Sequence, residues 1–248
     1  MEFLGQVLAW YTDPANWSGN NGIPLRLWQH LSLSVVSLAV GIAIALPIGL
    51  YIGHTGRGAR FAVAVSNIGR AVPSLGWLGI AYPISTGLFQ RAGIGFLPAF
   101  IGLVALAIPP IVTNTYAGLR SVDPELREAA RGMGMQERQL LMRVEVPVAL
   151  TVILAGIRVS AVGVVATAPL AALVGGGTLG AYILQGLALS DEVKVFAAAV
   201  MVALLAILTE LAFAWLQRRA VSPGLATSDG GSRDAASAIP VEGAVAPS

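Results

Sequence analysis

The chain contains no cysteine, which excludes disulfide bonds, thiolate nucleophiles and metal sites built on sulfur. It has two histidines, His30 and His54, which lie at opposite ends of one apolar stretch and are too far apart to share a metal ion. The sequence G-x-x-x-x-G-K-[ST] does not occur, so the chain has no phosphate-binding loop of this type. If the work of this protein consumes ATP, another subunit hydrolyses it.

Charge is scarce as well. Only 11% of the residues are charged and 56% are hydrophobic, with a mean hydropathy of +0.76, whereas about 25% are charged in an average soluble domain. Five stretches carry no charge or one acid, Glu210, and each is near or beyond the roughly 20 residues that a helix needs to cross a bilayer. They are residues 27–56, 71–90, 92–119, 159–190 and 195–216. The sequence predicts an all-α, polytopic integral membrane protein with about five transmembrane helices, in which both histidines are interfacial.

The basic residues predict the orientation, because Lys and Arg concentrate in short cytoplasmic loops. Ten arginines fall on one side of the predicted membrane: Arg57, Arg60, Arg120, Arg127, Arg131, Arg138, Arg143, Arg218, Arg219 and Arg233. Only Arg26, Arg91 and Lys194 fall on the other side. We therefore expect the N-terminus to lie outside the membrane and the C-terminus to lie in the cytoplasm.

This orientation divides the chain into three segments. We expect residues 1–26 to be an extracytoplasmic segment, residues 27–220 to be the membrane domain with a cytoplasmic loop at 120–148, and residues 221–248 to be a disordered cytoplasmic tail. The tail is rich in Ser, Gly, Ala and Pro and has no apolar period. The net charge of +2 and the pI near 9.3 reflect topology rather than nucleic-acid binding.

The loop at 120–148 is a charged island in an apolar chain. Asp123 and Pro124 are favourable residues for beginning a helix, which we expect to run to about Arg131. Gly132 and Gly134 permit a sharp turn. A second amphipathic helix is predicted at about 136–144, ending before the next proline. Its apolar side is Leu140, Leu141 and Val144, and its polar side is Glu137, Arg138 and Arg143. The two alanines that end the first helix predict a small face that a partner's groove can approach closely.

The island also carries a motif. It consists of Glu128, Ala129, Ala130, Gly134, Val144, Val146 and Pro147. In spacing it resembles the EAA loop of bacterial ABC importer permeases, E-A-A-x3-G-x9-I-x-L-P, with valine at the two aliphatic positions. The resemblance implies that this loop is the coupling helix that docks in a cleft of an ATPase subunit.

The resemblance extends from about residue 30 to residue 210 and narrows the family. Residues 67–75, 108–119 and 171–180 look like those of osmoprotectant permeases, which import glycine betaine, carnitine or choline, although Thr178 stands where the relatives usually have glycine. It implies a multi-pass protein of the bacterial plasma membrane with a MetI-like permease fold, and a chain that binds no cofactor itself. The implied partners are two ATPase subunits that use ATP and Mg, a second permease subunit that is identical or a paralogue, an extracytoplasmic substrate-binding protein and the lipid bilayer.

Two other functions stay open at this point. Methionine and other amino-acid importers share the EAA loop and a similar core, so the substrate could be an amino acid. A stand-alone channel or an intramembrane enzyme is the rival class. Catalysis is disfavoured because no cluster of His, Asp and Glu and no pair of nucleophile and base falls within the predicted spans.

Polar and flexible residues within the spans are candidates for a pathway or gate. They are Arg70, Ser74, Asn114, Tyr116, Arg158, Gly175, Gly176 and Gly177. The two arginines, at the predicted cytoplasmic ends of spans two and four, could snorkel to headgroups or form a gate or interhelical ion pair. Asn114 and Tyr116 lie about 200° apart on a helix, so we expect one to be structural. The three glycines could form a hinge, a re-entrant turn or a close helix contact.

Overall fold

The computed structural model describes residues 2–90 and 94–220, and in these residues every regular element is helical. The first half contains α1 (Glu2–Thr12), a short 3-10 helix (Pro14–Trp17), α2 (Ile23–Thr55), α3 (Ala59–Ala71) and α4 (Ser74–Phe89). The second half contains α5 (Phe96–Arg120), α6 (Pro124–Gly132), α7 (Glu137–Leu140), a π-helical turn (Leu141–Glu145), α8 (Val146–Thr167), a 3-10 helix (Ala168–Val174), α9 (Gly180–Leu189) and α10 (Glu192–Ala220). The tail predicted at 221–248, and Arg91, lie outside the described residues.

Four helical segments of the described chain are long and apolar enough to cross a membrane: α2, α5, the continuous segment Glu137–Val174 and α10. The predicted stretch at 71–90 is shorter than expected. The helix is interrupted at Val72, which is extended, because a residue that precedes proline is disfavoured in the helical region. α4 consequently has 16 residues, or about 24 Å at ~1.5 Å per residue, against a hydrocarbon core of about 30 Å.

The fourth span is also displaced from its expected position. The sequence placed it at 159–190, but α8 begins at Val146, and the helical segment ends at Val174. Arg158 is therefore roughly three turns inside α8 rather than at its cytoplasmic end. The uncharged residues that follow form the 3-10 helix, a glycine turn and the separate short helix α9.

A contact between α2 and α5 lies at the centre of the packing. Small residues recur every fourth position along α2, at Ser37, Gly41, Ala45, Gly49 and Gly53, and all five are buried. A Cβ built on three of these glycines would lie 2.8 Å from Cβ of Ala107, 2.6 Å from Cβ of Thr115 and 2.8 Å from Cβ of Leu119, for Gly41, Gly49 and Gly53 in turn. The absence of a side chain lets the two backbones approach closely, as in other membrane helix pairs.

On the other side of α5, α8 makes a similar contact, because a Cβ on Gly156 would lie 2.6 Å from Cβ of Asn114. α5 is the most buried of the four long segments and α10 is the least buried. The core is thus α5 held between α2 and α8, with α10 at the periphery.

An ion pair attaches the peripheral helix to this core. Arg158 of α8 donates from Nε to Oε2 of Glu210 at 2.8 Å and from a terminal nitrogen to Oε1. Gln217 extends the contact, because its Nε2 donates to the carbonyl of Thr151 at 3.2 Å. The sequence left open whether Arg158 snorkels to headgroups or forms a gate or an interhelical ion pair. The structure shows the interhelical ion pair. A guanidinium and a carboxylate joined by two hydrogen bonds satisfy each other inside an apolar domain.

Replacing Arg158 by methionine removes one charge and leaves Glu210 without this partner. We expect the free energy of unfolding in detergent to fall by roughly 1–3 kcal/mol, the cost of an unsatisfied polar group. Thermal unfolding of the purified protein, followed by tryptophan fluorescence, measures the change. The double variant Arg158→Met with Glu210→Met removes both charges and should recover most of the loss. A double variant no more stable than the single one would show that the pair does not hold α10.

Candidate functional site

The first helix of the loop at 120–148 begins and ends close to the predicted residues. α6 runs from Pro124 to Gly132, and the Asp123 carboxylate caps it by accepting a hydrogen bond from the Glu125 amide at 2.9 Å. Proline at the first helical position loses no hydrogen bond there. Glu128 of the motif is exposed near the middle of this helix.

Gly134 makes the turn at the end of α6. Its φ of +82° is left-handed, and its amide donates to the carbonyl of Arg131 at 2.9 Å while the amide of Met135 donates to the carbonyl of Ala130 at 3.2 Å. These two bonds define a Schellman C-cap, for which glycine is the preferred residue. No atom lies within 4 Å of a Cβ placed on Gly134. The motif therefore requires glycine for its backbone conformation and not for lack of space.

A salt bridge closes the turn from outside. Arg131 donates from Nε and Nη2 to the two carboxylate oxygens of Glu137, at 3.0 and 3.2 Å. The hydrogen bond to Glu137 raises the pKa of the Arg131 guanidinium above its ordinary value, and the negative charge of Glu137 adds to the effect. Both side chains are about half exposed. Because water screens such a pair, we regard it as an orienting contact rather than a large source of stability.

The prediction that the second helix ends before Pro147 is wrong. α7 passes into a π-helical turn and then directly into α8, with Pro147 in the first turn of α8. The wider π-helical turn lets the chain continue past a residue that lacks an amide hydrogen. The predicted amphipathic pattern of this segment is confirmed: Leu140 is buried, Leu141 and Val144 are half-buried, and Glu137, Arg138 and Arg143 are exposed.

The prediction that Ala129 and Ala130 share one outward face is also wrong. Ala129 is exposed, but Ala130 is only 1% exposed. Consecutive residues on a helix point about 100° apart, so only one of them can face outwards while the other packs inside. The surface that the loop offers to a partner therefore includes Glu128 and Ala129, and Ala130 anchors α6 to the rest of the chain.

A buried ionic cluster lies beneath the loop, and the sequence reasoning missed it. Glu145 is fully buried, with Oε2 2.6 Å from Nδ1 of His54 and Oε1 3.0 Å from Nε of Arg127. The other nitrogen of the His54 ring lies 3.2 Å from Glu137. Arg127 also donates to the carbonyl of Leu119 at the end of α5.

This cluster joins the loop to the membrane helices. His54 belongs to the last turn of α2, Arg127 to α6 and Glu145 to the π-helical turn. The sequence favoured an interfacial position for His54 and did not predict the specific contact that its ring makes between elements. A sequence signal was present: Glu145 lies between the apolar residues Leu141 and Ala149 at intervals of four, which places it on an apolar face of the helix.

The candidate pathway residues do not converge on one site. Arg70 is exposed at the end of α3, and Ser74 lines a small crevice at the start of α4. Asn114 donates to the carbonyl of Pro110 at 2.8 Å and packs on α8, whereas Tyr116 packs against the cluster formed by α2 and α5. Arg158 is engaged with α10. Asn114 and Tyr116 of α5 therefore both make packing contacts.

The three glycines form a turn with close helix contacts. Gly175 and Gly177 have φ of +80° and +70°, and Thr178 has φ of +67°. The amide of Gly95 donates to the carbonyl of Val174 at 2.8 Å, which ties the turn to the start of α5. The turn also borders an open cavity of about 420 Å³ next to the start of α2.

Neutralising Glu145 tests the cluster. In Glu145→Gln the side chain keeps its shape but loses the charge that pairs with Arg127 and His54, so we expect a loss of roughly 1–3 kcal/mol in the free energy of unfolding. Thermal unfolding in detergent is the measurement. Glu128→Gln makes the same change at an exposed position of the same loop and should cost at most about 0.5 kcal/mol. Equal effects of the two substitutions would contradict the anchoring role.

Comparison with known proteins identifies the family to which this architecture belongs. Residues 37–222 match the family described as "Binding-protein-dependent transport system inner membrane component". The chain is 40% identical over 202 residues to the carnitine transport permease protein OpuCB of Listeria monocytogenes, covering 82% of this chain and 89% of that protein. It is 33% identical over 200 residues to the choline transport system permease protein OpuBB of Bacillus subtilis, covering 81% and 89%.

A solved structure has the same fold. The chain matches a chain of the MetNI methionine ABC transporter in an inward-facing conformation with a TM-score of 0.70 and 25% identity, covering 79% of this chain and 94% of that one. The helical core, the loop between α5 and α8 and the family match agree with one another. This chain belongs to the family of binding-protein-dependent transport system inner membrane components, the permease subunits of ABC importers.

Proposed function

We propose that this chain is the permease subunit of an ATP-driven importer of compatible solutes such as glycine betaine, carnitine, choline or proline betaine. The observation that carries the proposal is the loop at 120–148, an exposed helix and glycine turn fixed to the membrane core. The relatives named for carnitine and choline transport, at 40% and 33% identity, support this substrate class. The methionine transporter, at 25% identity, is similar in fold and supports amino-acid import less strongly.

The exposed surface of α6 is the docking element for the ATPase. Glu128, Ala129 and the turn at Gly134 project from the core, while Ala130 and Arg127 hold α6 from beneath. A rigid, anchored helix transmits a movement of its partner better than a mobile loop does. Closure of two ATPase subunits upon ATP and Mg then moves the ends of α2 and α5 through the Glu145 cluster, and the chain itself binds no cofactor.

The complete importer contains two permease subunits, either two copies of this chain or this chain with a paralogue, and a separate extracytoplasmic binding protein. The N-terminus faces outside and the C-terminus faces the cytoplasm. The ends of the molecule support this orientation. Tyr11 donates to the carbonyl of Ala197 at 2.7 Å, so the N-terminal segment lies with the start of α10. The docking loop lies at the opposite end, with His54.

Reversing the charge at Glu128 tests docking. We expect Glu128→Arg to reduce ATP-dependent solute uptake by proteoliposomes at least about tenfold, because an interfacial charge reversal costs several kcal/mol. Capture of the ATPase subunit by the solubilised permease should fall in parallel. Glu192→Arg, the same change at an exposed position of the opposite end, is the control. Normal capture and uptake by Glu128→Arg would refute the docking assignment.

Reporter fusions test the orientation. Fusions after Arg60, Gly134 and Arg219 should report cytoplasm and a fusion after Asp191 the exterior, because basic loops stay inside. Paired reporters that are active on opposite sides of the membrane provide the measurement and its internal control. An exterior signal after Gly134 would overturn both the orientation and the docking role.

A further inference from the structure

A positively charged side chain lines the cavity beside the glycine turn. Its volume is about 420 Å³, within the range of about 300–1,000 Å³ that small-molecule sites occupy. It lies at the end of the molecule that carries the N-terminal segment. The side chains that matter for its chemistry are Arg26, Gln29 and Ser32 of α2 and Phe96 of α5, and residues 175–177 complete the wall.

Arg26 has hydrogen-bond partners but no opposite charge in the described part of the chain. Its Nη1 donates to Oε1 of Gln29 at 3.1 Å, and its Nη2 donates to Oδ1 of Asn21 at 2.6 Å. Its Nε is buried and makes no hydrogen bond. Both partners are neutral amides, so they orient the guanidinium without neutralising it. A positive charge is therefore held in place at the wall of a cavity.

The glycine turn is shaped around this arginine. A Cβ on Gly177 would lie 2.9 Å from Nη1 of Arg26 and would also collide with the Gln29 amide. The amide of Thr178 donates to Oε1 of Gln29 at 3.3 Å, so Gln29 is held from two sides. Position 177 therefore favours glycine for two reasons: its φ is left-handed, and a side chain there would collide with Arg26 and Gln29. The absence of a side chain at Gly177 leaves the space that the Arg26 guanidinium and the Gln29 amide occupy.

The chemistry of the wall indicates what it can recognise. A guanidinium binds a carboxylate through parallel hydrogen bonds, and each terminal nitrogen of Arg26 has a second N–H beside the one that it donates within the chain. Phe96 also lines the cavity, and an aromatic ring is the kind of group that attracts a quaternary ammonium; this ring stacks on Phe100 with the centroids 5.9 Å apart. The cavity thus has one group that attracts a carboxylate and one that attracts a quaternary ammonium. This combination suits a zwitterion better than a simple cation, which Arg26 repels.

We propose that this cavity is a transient site for the solute in the permease and that Arg26 binds the carboxylate of zwitterionic compatible solutes. The assignment rests on the proposed function. Glycine betaine and carnitine carry a carboxylate beside their quaternary ammonium group, whereas choline does not. Arg26 thereby distinguishes the carboxylate-bearing solutes from choline inside the permease, in addition to any selection by the binding protein.

The test uses the complete importer, with its ATPase subunits and binding protein, in proteoliposomes. Arg26→Gln should reduce uptake of radiolabelled glycine betaine and carnitine by about ten- to hundredfold, the loss of a charge-assisted hydrogen bond. Choline uptake should stay unchanged or rise. Arg26→Lys, which keeps the charge and loses the parallel geometry, should give an intermediate loss. Arg57→Gln, at an exposed arginine of the opposite end, is the matched control.

Stimulation of ATP hydrolysis by the loaded binding protein separates this role from docking. It should be preserved in Arg26→Gln while carboxylate uptake falls. Stimulation and uptake that fall together, equal losses for all three solutes, or undiminished glycine betaine uptake would each overturn the assignment. A wild-type importer that carries none of the three solutes would instead refute the proposed function.

Discussion

The close approach of α2 to α5 is the constraint on which the rest of this structure depends. Membrane helices gain little from apolar burial alone, since lipid tails are as apolar as their side chains, and they associate by packing and hydrogen bonding. A row of small residues along α2 allows its backbone to lie against α5, so that Ala107, Thr115 and Leu119 occupy the space left by three glycines. Any larger residue in this row separates the two helices and shifts everything that they position.

The two ends of α2 carry the cavity and the buried ionic cluster. Arg26 and Gln29 lie in its first turns and line the cavity, and His54 lies in its last turn and contacts the buried Glu145. α2 is a 33-residue helix that contacts α5 along its row of small residues, so one packed element connects them. In the function proposed above, movement of the loop at 120–148 reaches the cavity through this single packed element. This is a physical route for coupling that needs no chain of side-chain switches.

Charged side chains lie at both ends of α2, but only the charge at the loop has an opposite charge beside it. At the loop, the buried carboxylate of Glu145 lies 3.0 Å from the guanidinium of Arg127 and 2.6 Å from the His54 ring, so its charge has an opposite charge beside it and the contact is structural. At the cavity, Arg26 is oriented by neutral amides only, and its charge is left for a ligand. Burying a charge without compensation is costly, which is why the compensated cluster lies in the interior and the uncompensated cation lies at an open wall.

The sequence by itself determined the class of the protein and the local form of its loop. Scarce charge and long apolar runs predict membrane helices because a helix is the spanning structure that satisfies its own backbone in lipid. Asp123, Pro124 and Gly134 predict the beginning of α6 and the turn after it, because capping depends on residues within one turn.

Only the tertiary structure decided the contacts between distant positions. The partnership of Glu145 with His54, the pairing of Arg158 with Glu210 and the enclosure of Arg26 by the glycine turn join residues 91, 52 and about 150 positions apart. Composition and periodicity describe which face of a helix is polar, but they do not specify which other helix that face meets. The continuation of the helix through Pro147 was decided in the same way, since packing of Leu140 and Glu145 beneath the loop favours an unbroken segment where the local preference of proline alone predicts an end.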